Sequence, residues 1–118
     1  MTPDELKHRT RTFAIEVIKL ARSLPPDFVT AHIARQLMRS GTSVGANYRS
    51  SCRAKSEADF ISKMSTVEEE ADETGYWIEL LIEMNTVSHK AVAAVLSEAD
   101  QLVRIAGASI KTTRGRSR

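Results

Sequence analysis

Aromatic side chains are scarce in this sequence: they make up 5% of 118 residues, too few for a sheet sandwich held together by large rings. Cys52 is the only cysteine, which excludes an internal disulfide and a thiolate cluster. Its position beside an apolar stripe marks it as a reduced core or interface thiol rather than a nucleophile. No apolar run approaches the roughly 18 residues that a spanning helix needs, so a membrane is not an expected partner. The start, Met-Thr-Pro-Asp-Glu, has neither the basic flank nor the apolar core of a secretory signal, and the expected location is cytoplasmic. What is present is an apolar content of 42%, enough to exclude a wholly disordered chain, in a length that suits one domain.

A net charge of +2 conceals a strong partition along the chain. Residues 25–56 carry five Lys/Arg against one Asp, whereas residues 57–85 carry one Lys against nine Asp/Glu. The flanking segments, 1–24 and 86–118, are both basic. An acidic stretch between basic ones implies either a molecule with oppositely charged faces or charges satisfied within an assembly.

Apolar spacing predicts four helices and no strands. The first begins after Pro3, with Asp4 and Glu5 at its positive end, and repeats Leu6, Phe13, Val17, Leu20 and Leu24 until Pro25-Pro26 stops it. The second runs from about Asp27 to Cys52, with Ile33, Leu37, Gly41, Val44 and Tyr48 on one face. Gly41 and Gly45 each weaken it by roughly 1 kcal/mol relative to alanine, and with Ser40, Thr42 and Ser43 beside them both a continuous helix and one bent or interrupted there stay open. The third repeats Phe60, Met64, Val67, Ala71, Thr74, Ile78 and Leu81 four and three apart, the seam of a bundle, with Ser56 as its cap and Asp59 as the box partner. Glu57, Glu68, Asp72, Glu79 and Glu83 form a polar flank beside it, and Tyr76 and Trp77 put rings outside the seam. A short turn at 84–87 leads to a fourth helix from about Ser88 to Ile110, through Val92, Val95, Leu96, Ala99, Leu102, Val103 and Ala106. The expected fold is all-α, an antiparallel up-down four-helix bundle over residues 1–110, followed by a basic, frayed tail at 111–118.

On a continuous second helix Arg35, Arg39, Arg49 and Arg53 fall within about 80° of one another. Such a stripe wants either nucleic-acid phosphates or an acidic protein surface, and the acidic flank of the third helix, in the same or a neighbouring subunit, is the competing partner. Read for nucleic acid, the binding set is Arg35, Arg39, Arg49, Arg53 and Lys55, joined by Arg114, Arg116 and Arg118 of the tail. Phosphate contacts attract and position without reading bases, so weak sequence preference and strong salt dependence are expected of RNA or DNA as partner. Gly41 and Gly45 make a small-xxx-small spacing for close helix approach, within or between subunits. Asn47 lies between the basic and apolar faces, where it caps a broken helix or specifies packing; with Tyr48, Tyr76 and Trp77 it completes the packing or oligomer set.

No enzymatic constellation competes with this stripe. Paired-metal chemistry in a bundle wants inward glutamates and Glu-x-x-His, and neither His32 nor His89 has a Glu three residues earlier. His8 and His32 read as surface or boundary side chains. A serine-nucleophile motif is missing and so is the Gly-Lys-Ser/Thr ending of a phosphate loop, so no catalytic residue, metal or cofactor is assigned.

Three motifs carry a family resemblance. They are Gln36-Leu37-x-Arg39-Ser40, then Ser43-Val44-Gly45-Ala46-Asn47, then Arg53-x-Lys55-Ser56-x-x-Asp59-Phe60-Ile61. With Glu68-Glu69-Glu70-Ala71 and Tyr76-Trp77 they make the chain, from Leu6 to about Leu102, resemble the ribosomal RNA intervening-sequence protein family, also labelled S23. The resemblance implies an up-down four-helix bundle assembled as a ring-like pentamer. Members are encoded within insertions in large-subunit ribosomal RNA genes, and a related group comprises accessory proteins of diversity-generating retroelements regarded as nucleic-acid binders. Many relatives have an Ile-Ala-Glu-Gly-like stretch after the asparagine, where this chain has Tyr48-Arg49-Ser50-Ser51. The functional expectation is a non-enzymatic, oligomeric nucleic-acid accessory protein, or alternatively a structural or protein-interaction bundle whose charged faces pair between subunits.

Overall fold

Each helix starts at a side chain that satisfies an otherwise orphaned backbone amide. Helix α1 (Pro3–Ser23) is capped by Thr2, whose hydroxyl accepts from the Glu5 amide at 3.1 Å. Asp27 caps α2 (Phe28–Ser51) by accepting from the Thr30 amide at 3.0 Å, a bond that holds its carboxyl below the usual carboxylate range. Ser56 caps α3 (Glu57–Glu83) through the Asp59 amide at 3.0 Å, and Ser88 precedes α4 (His89–Arg116), accepting from the Ala91 amide at 3.2 Å. The computed structural model describes residues 1–116, and among them there is no strand.

The expected turn at 84–87 is a Schellman motif. Asn85 adopts φ 59°, the left-handed conformation that asparagine tolerates best after glycine. That geometry sends the Thr86 amide to the Leu81 carbonyl at 3.0 Å and the Asn85 amide to the Ile82 carbonyl at 2.9 Å, so the last carbonyls of α3 are satisfied and the chain reverses.

Consecutive helices pack side by side, α1 on α2, α2 on α3 and α3 on α4, in an up-down bundle 50 Å long and 21 Å across. Met64, Val67, Ala71, Thr74, Ile78 and Leu81 of the α3 seam are all buried, facing Ile33, Leu37, Val44 and Tyr48 of α2 and Val92, Ala99, Leu102 and Ala106 of α4. Of the helix pairs that touch, α1 and α4 meet most sparingly. There Arg9 bridges them, its guanidinium donating to Glu98 at 2.6 and 2.7 Å and to Gln101 at 2.7 Å.

One open alternative is decided and one expectation is corrected. Helix α2 does not break at Gly41 or Gly45, because the missing side chains admit α1: a Cβ at Gly41 would stand 2.6 Å from Val17 Cγ1, and one at Gly45 would stand 3.1 Å from Thr10 Oγ1. Helix α4 does not fray at Ile110 but continues to Arg116. Ile110 is buried against the bundle, the Thr113 hydroxyl donates to the Ser109 carbonyl at 2.9 Å, and basic side chains suit the negative end of a helix. Ser117 and Arg118 lie outside the described residues.

Candidate nucleic-acid interface

Because α2 is unbroken, Arg35, Arg39 and Arg49 do share one helical face, spread over about 21 Å at 1.5 Å per residue. Arg53 does not join them. The helix ends at Ser51, and Cys52, Arg53 and Ala54 form a tight turn in which the Arg53 amide donates to the Ser50 carbonyl at 3.0 Å and the Ala54 amide to the Ser51 carbonyl at 3.1 Å. The turn also removes the core half of the core-or-interface reading of Cys52, and the interface half stays an expectation. At the helix C-cap its side chain is exposed rather than part of the core, because the apolar stripe of α2 ends at Tyr48.

The four arginines of the stripe meet three different environments. Arg39 is already engaged within the fold, donating to Glu70 at 3.2 Å and closely to Glu73, with Gln36 at 3.4 Å on the same guanidinium. Glu73 and then Glu70 hold its proton more tightly than usual. The acidic flank thus does compete for the stripe, through Glu70 and Glu73 rather than the five carboxylates that spacing selected. Arg35 sits toward the other end of α2, beside an apolar hollow lined by Phe28, Val29, His32, Ile33, Trp77 and Leu80. Phe28 is 89% exposed there, an unusual state for so large an apolar side chain.

Arg49 and Arg53 form the third environment. With Lys7, Lys55 and Lys63 they line a concavity of about 590 Å³ at the end of the bundle where α2 turns into α3, its floor made by Ala46 and Ser50. Three successive pieces of chain supply these cations, and α1 adds a fourth through Lys7. The backbone that carries them is fixed: the Lys55 amide donates to Asp59 Oδ2 at 3.0 Å, and Lys63 pairs with the same carboxylate at 3.1 Å. These two bonds, the backbone one first, keep the Asp59 carboxyl below its ordinary range. Lys7, Arg49, Arg53 and Lys55 make no ion pair among the described residues. Up-down topology brings the C-terminal turns of α4 to this end as well, with Arg114 and Arg116 exposed. Arg118, also assigned to the binding set, lies outside the described residues.

Sequence reasoning missed Lys7 and Lys63. Lys63 was readable as the i+4 partner of Asp59 on α3. Lys7 belongs to the group only because α1 starts where α2 ends, a tertiary fact.

The packing set is distributed over separate places. Asn47 caps nothing, since α2 is continuous; its amide donates to the Ser43 carbonyl at 2.8 Å. Tyr48 is buried, and that burial pushes its phenol well above the ordinary value, with Cys52 adding to the shift. Trp77 is half-buried against Tyr76 and His32, with ring centroids 5.1 and 6.1 Å away, while Tyr76 itself is largely exposed. The Trp77 Nε1 donor is buried without a partner among the described residues. Among the described residues no three His, Cys, Asp or Glu side chains come together in a way that could hold a metal ion, and no helix is long and apolar enough to cross a membrane.

Comparison with known proteins agrees with this architecture. A crystal structure of a protein of unknown function from the S23 ribosomal protein family of Bacteroides thetaiotaomicron VPI-5482 superimposes with a TM-score of 0.85. It is 32% identical in sequence, and the match covers 94% of this chain and 99% of that one. No curated protein matches the chain. Residues 5–108 match the family described as 23S rRNA-intervening sequence protein, a span that holds α2 and α3 entire, most of α1 and α4, and all five cations of the concavity. The chain belongs to the 23S rRNA-intervening sequence protein family.

Proposed function

We propose that this protein is a non-enzymatic accessory protein that attracts nucleic acid with low sequence specificity through the basic concavity at the α2–α3 end, and that it acts in the cytoplasm as a homo-oligomer. One observation carries the reading. Four cations, Lys7, Arg49, Arg53 and Lys55, converge on one concavity without ion-pair partners among the described residues, at the end of the bundle that also bears Arg114 and Arg116. Like charges gathered at one end of the bundle repel one another, and a polyanion relieves that repulsion while releasing its own counterions. Assembly into a ring, a pentamer by the family resemblance, would repeat the concavity and raise the apparent affinity by avidity.

A second reading has its own support. Arg39 is neutralised by Glu70 and Glu73, and Phe28, Val29 and Tyr76 leave apolar surface open at the other end of α2 and on α3, as expected of a structural or protein-interaction bundle. The two readings separate by measuring the binding of labelled RNA and DNA at low salt, with the oligomeric mass established alongside. Nucleic-acid binding that weakens when Arg49 and Arg53 are replaced by glutamine supports the first reading. A protein of unchanged mass that binds no nucleic acid at low salt leaves only the second.

A further inference from the structure

We infer that the basic concavity accepts the phosphate backbone of a double helix in preference to a single strand. This rests on the nucleic-acid reading above and adds the form of nucleic acid the site takes.

The lining of the concavity supplies the first argument. Its polar side chains are four flexible or forked cations, the paired Lys63 and the hydroxyl of Ser50, and no ring is among them. Proteins that hold single strands gain about 1–3 kcal/mol per base by stacking bases on aromatic side chains. The exposed six-membered rings are elsewhere: Phe28 is separated from Arg49 by about 32 Å of α2, and Tyr76 from Lys63 by about 20 Å of α3, while the exposed imidazole of His8 borders a different hollow, with Arg9 and Glu98. A single strand seated among the cations finds no aromatic ring to stack on, only the guanidinium planes of Arg49 and Arg53.

The second argument is the arrangement of the charges. The cations come from the start of α1, the end of α2, the turn and the first turns of α3, and so make a cluster rather than a track along which one strand could run. A duplex presents about one phosphate per 1.7 Å of axis, twice the linear density of either strand, so a compact cluster meets more phosphates on a duplex.

Shape completes the case. The bundle is 21 Å across, wider than the roughly 12 Å major groove of B-form DNA, so its end lies against the backbone without inserting between the strands. The backbone bonds of Arg53, Ala54 and Lys55 hold the turn in one conformation, suited to a stiff partner. Contact confined to phosphates reads neither base nor sugar, so duplex RNA and duplex DNA are both accepted.

The test is fluorescence anisotropy with one labelled 20-nucleotide strand, as DNA and as RNA, alone and annealed to its complement, from 50 to 200 mM salt. At 50 mM salt both duplexes bind more tightly than either strand. For four phosphate contacts per concavity, duplex affinity falls about 150-fold over that range and single-strand affinity about 50-fold. Single strands bound as tightly as the duplexes, or more tightly, would overturn the inference while leaving the nucleic-acid reading in place. Failure of all four probes at 50 mM salt removes that reading and the inference with it. A duplex preference that persists undiminished in the Lys7→Gln/Arg49→Gln/Arg53→Gln protein, its helicity intact by circular dichroism, also overturns it, because another surface would then make the distinction.

Discussion

Replacing Gly41 with alanine should destabilise the bundle even though alanine is the better helix former. The added methyl carbon would stand 2.6 Å from Val17 Cγ1 and 2.9 Å from both Cβ and Cγ2 of the same side chain. Val17 is fully buried and β-branched, so it has little rotamer freedom with which to move aside. Overpacking of this kind costs about 1–3 kcal/mol, against a gain of about 1 kcal/mol from helix propensity. The net expectation is a loss of about 0–2 kcal/mol. Gly75, another buried helical glycine, supplies the control: its nearest neighbours would be Ala99 Cβ and Leu96 Cδ1, both at 4.0 Å, which is ordinary contact. Gly75→Ala should therefore stabilise by up to about 1 kcal/mol. Thermal or urea unfolding at one fixed protein concentration compares the two, with a separation of about 1–3 kcal/mol or several degrees in Tm. In the Val17→Ala background the Gly41→Ala penalty should shrink by more than about 1 kcal/mol, since the contact that causes it is gone. A Gly41→Ala protein as stable as Gly75→Ala would refute the close α1–α2 approach, and with it the reason that α2 runs straight past two glycines.

Other consequences are as specific. The buried hydroxyls of Thr74 and Ser40 lie 2.8 Å apart and join α3 to α2, so Thr74→Val should lower stability by about 1 kcal/mol, with Ser40→Ala adding less than its separate cost in the double variant. Asp27 and Asp59 both have carboxyls held below their unfolded values; the stability they contribute is full above the unfolded pKa and is lost as pH falls through the folded one. Urea midpoints should therefore drop below about pH 4, and Asp27→Asn/Asp59→Asn should flatten that drop, an outcome that a pH series of unfolding curves checks directly. Arg39→Gln should leave both nucleic-acid affinity and its salt dependence unchanged in an anisotropy titration, because that guanidinium already belongs to Glu70 and Glu73.

Much of the fold was legible because helical spacing is a local property. The α3 seam from Met64 to Leu81 and the α2 face from Ile33 to Tyr48 are buried as their periodicity requires, and Ser56 starts α3 as a cap should. The failures occurred where local signals were absent or ambiguous. Nothing at 52–54 is a glycine or proline, so the end of α2 before Arg53 had no sequence marker; Gly41 and Gly45 left the continuity of α2 open and are where α1 fits. No breaker follows Ile110 until Gly115, and only burial of Ile110 and the bond from Thr113 show that the helix continues. The candidate site was half legible. Arg49, Arg53 and Lys55 were singled out as cations, but their separation from Arg35, the loss of Arg39 to α3 and the arrival of Lys7 and Lys63 all depend on which helix ends share one end of the bundle.

The most direct test of the basic concavity is the slope of log affinity against log salt for a 20-base-pair duplex, measured for the native protein and for Arg49→Gln/Arg53→Gln at matched oligomeric mass. Removing two phosphate contacts should make the slope shallower by about 1.8 for each concavity engaged, and should weaken binding at every salt concentration. An unchanged slope with unchanged affinity would contradict the account, placing any nucleic-acid contact away from the α2–α3 end.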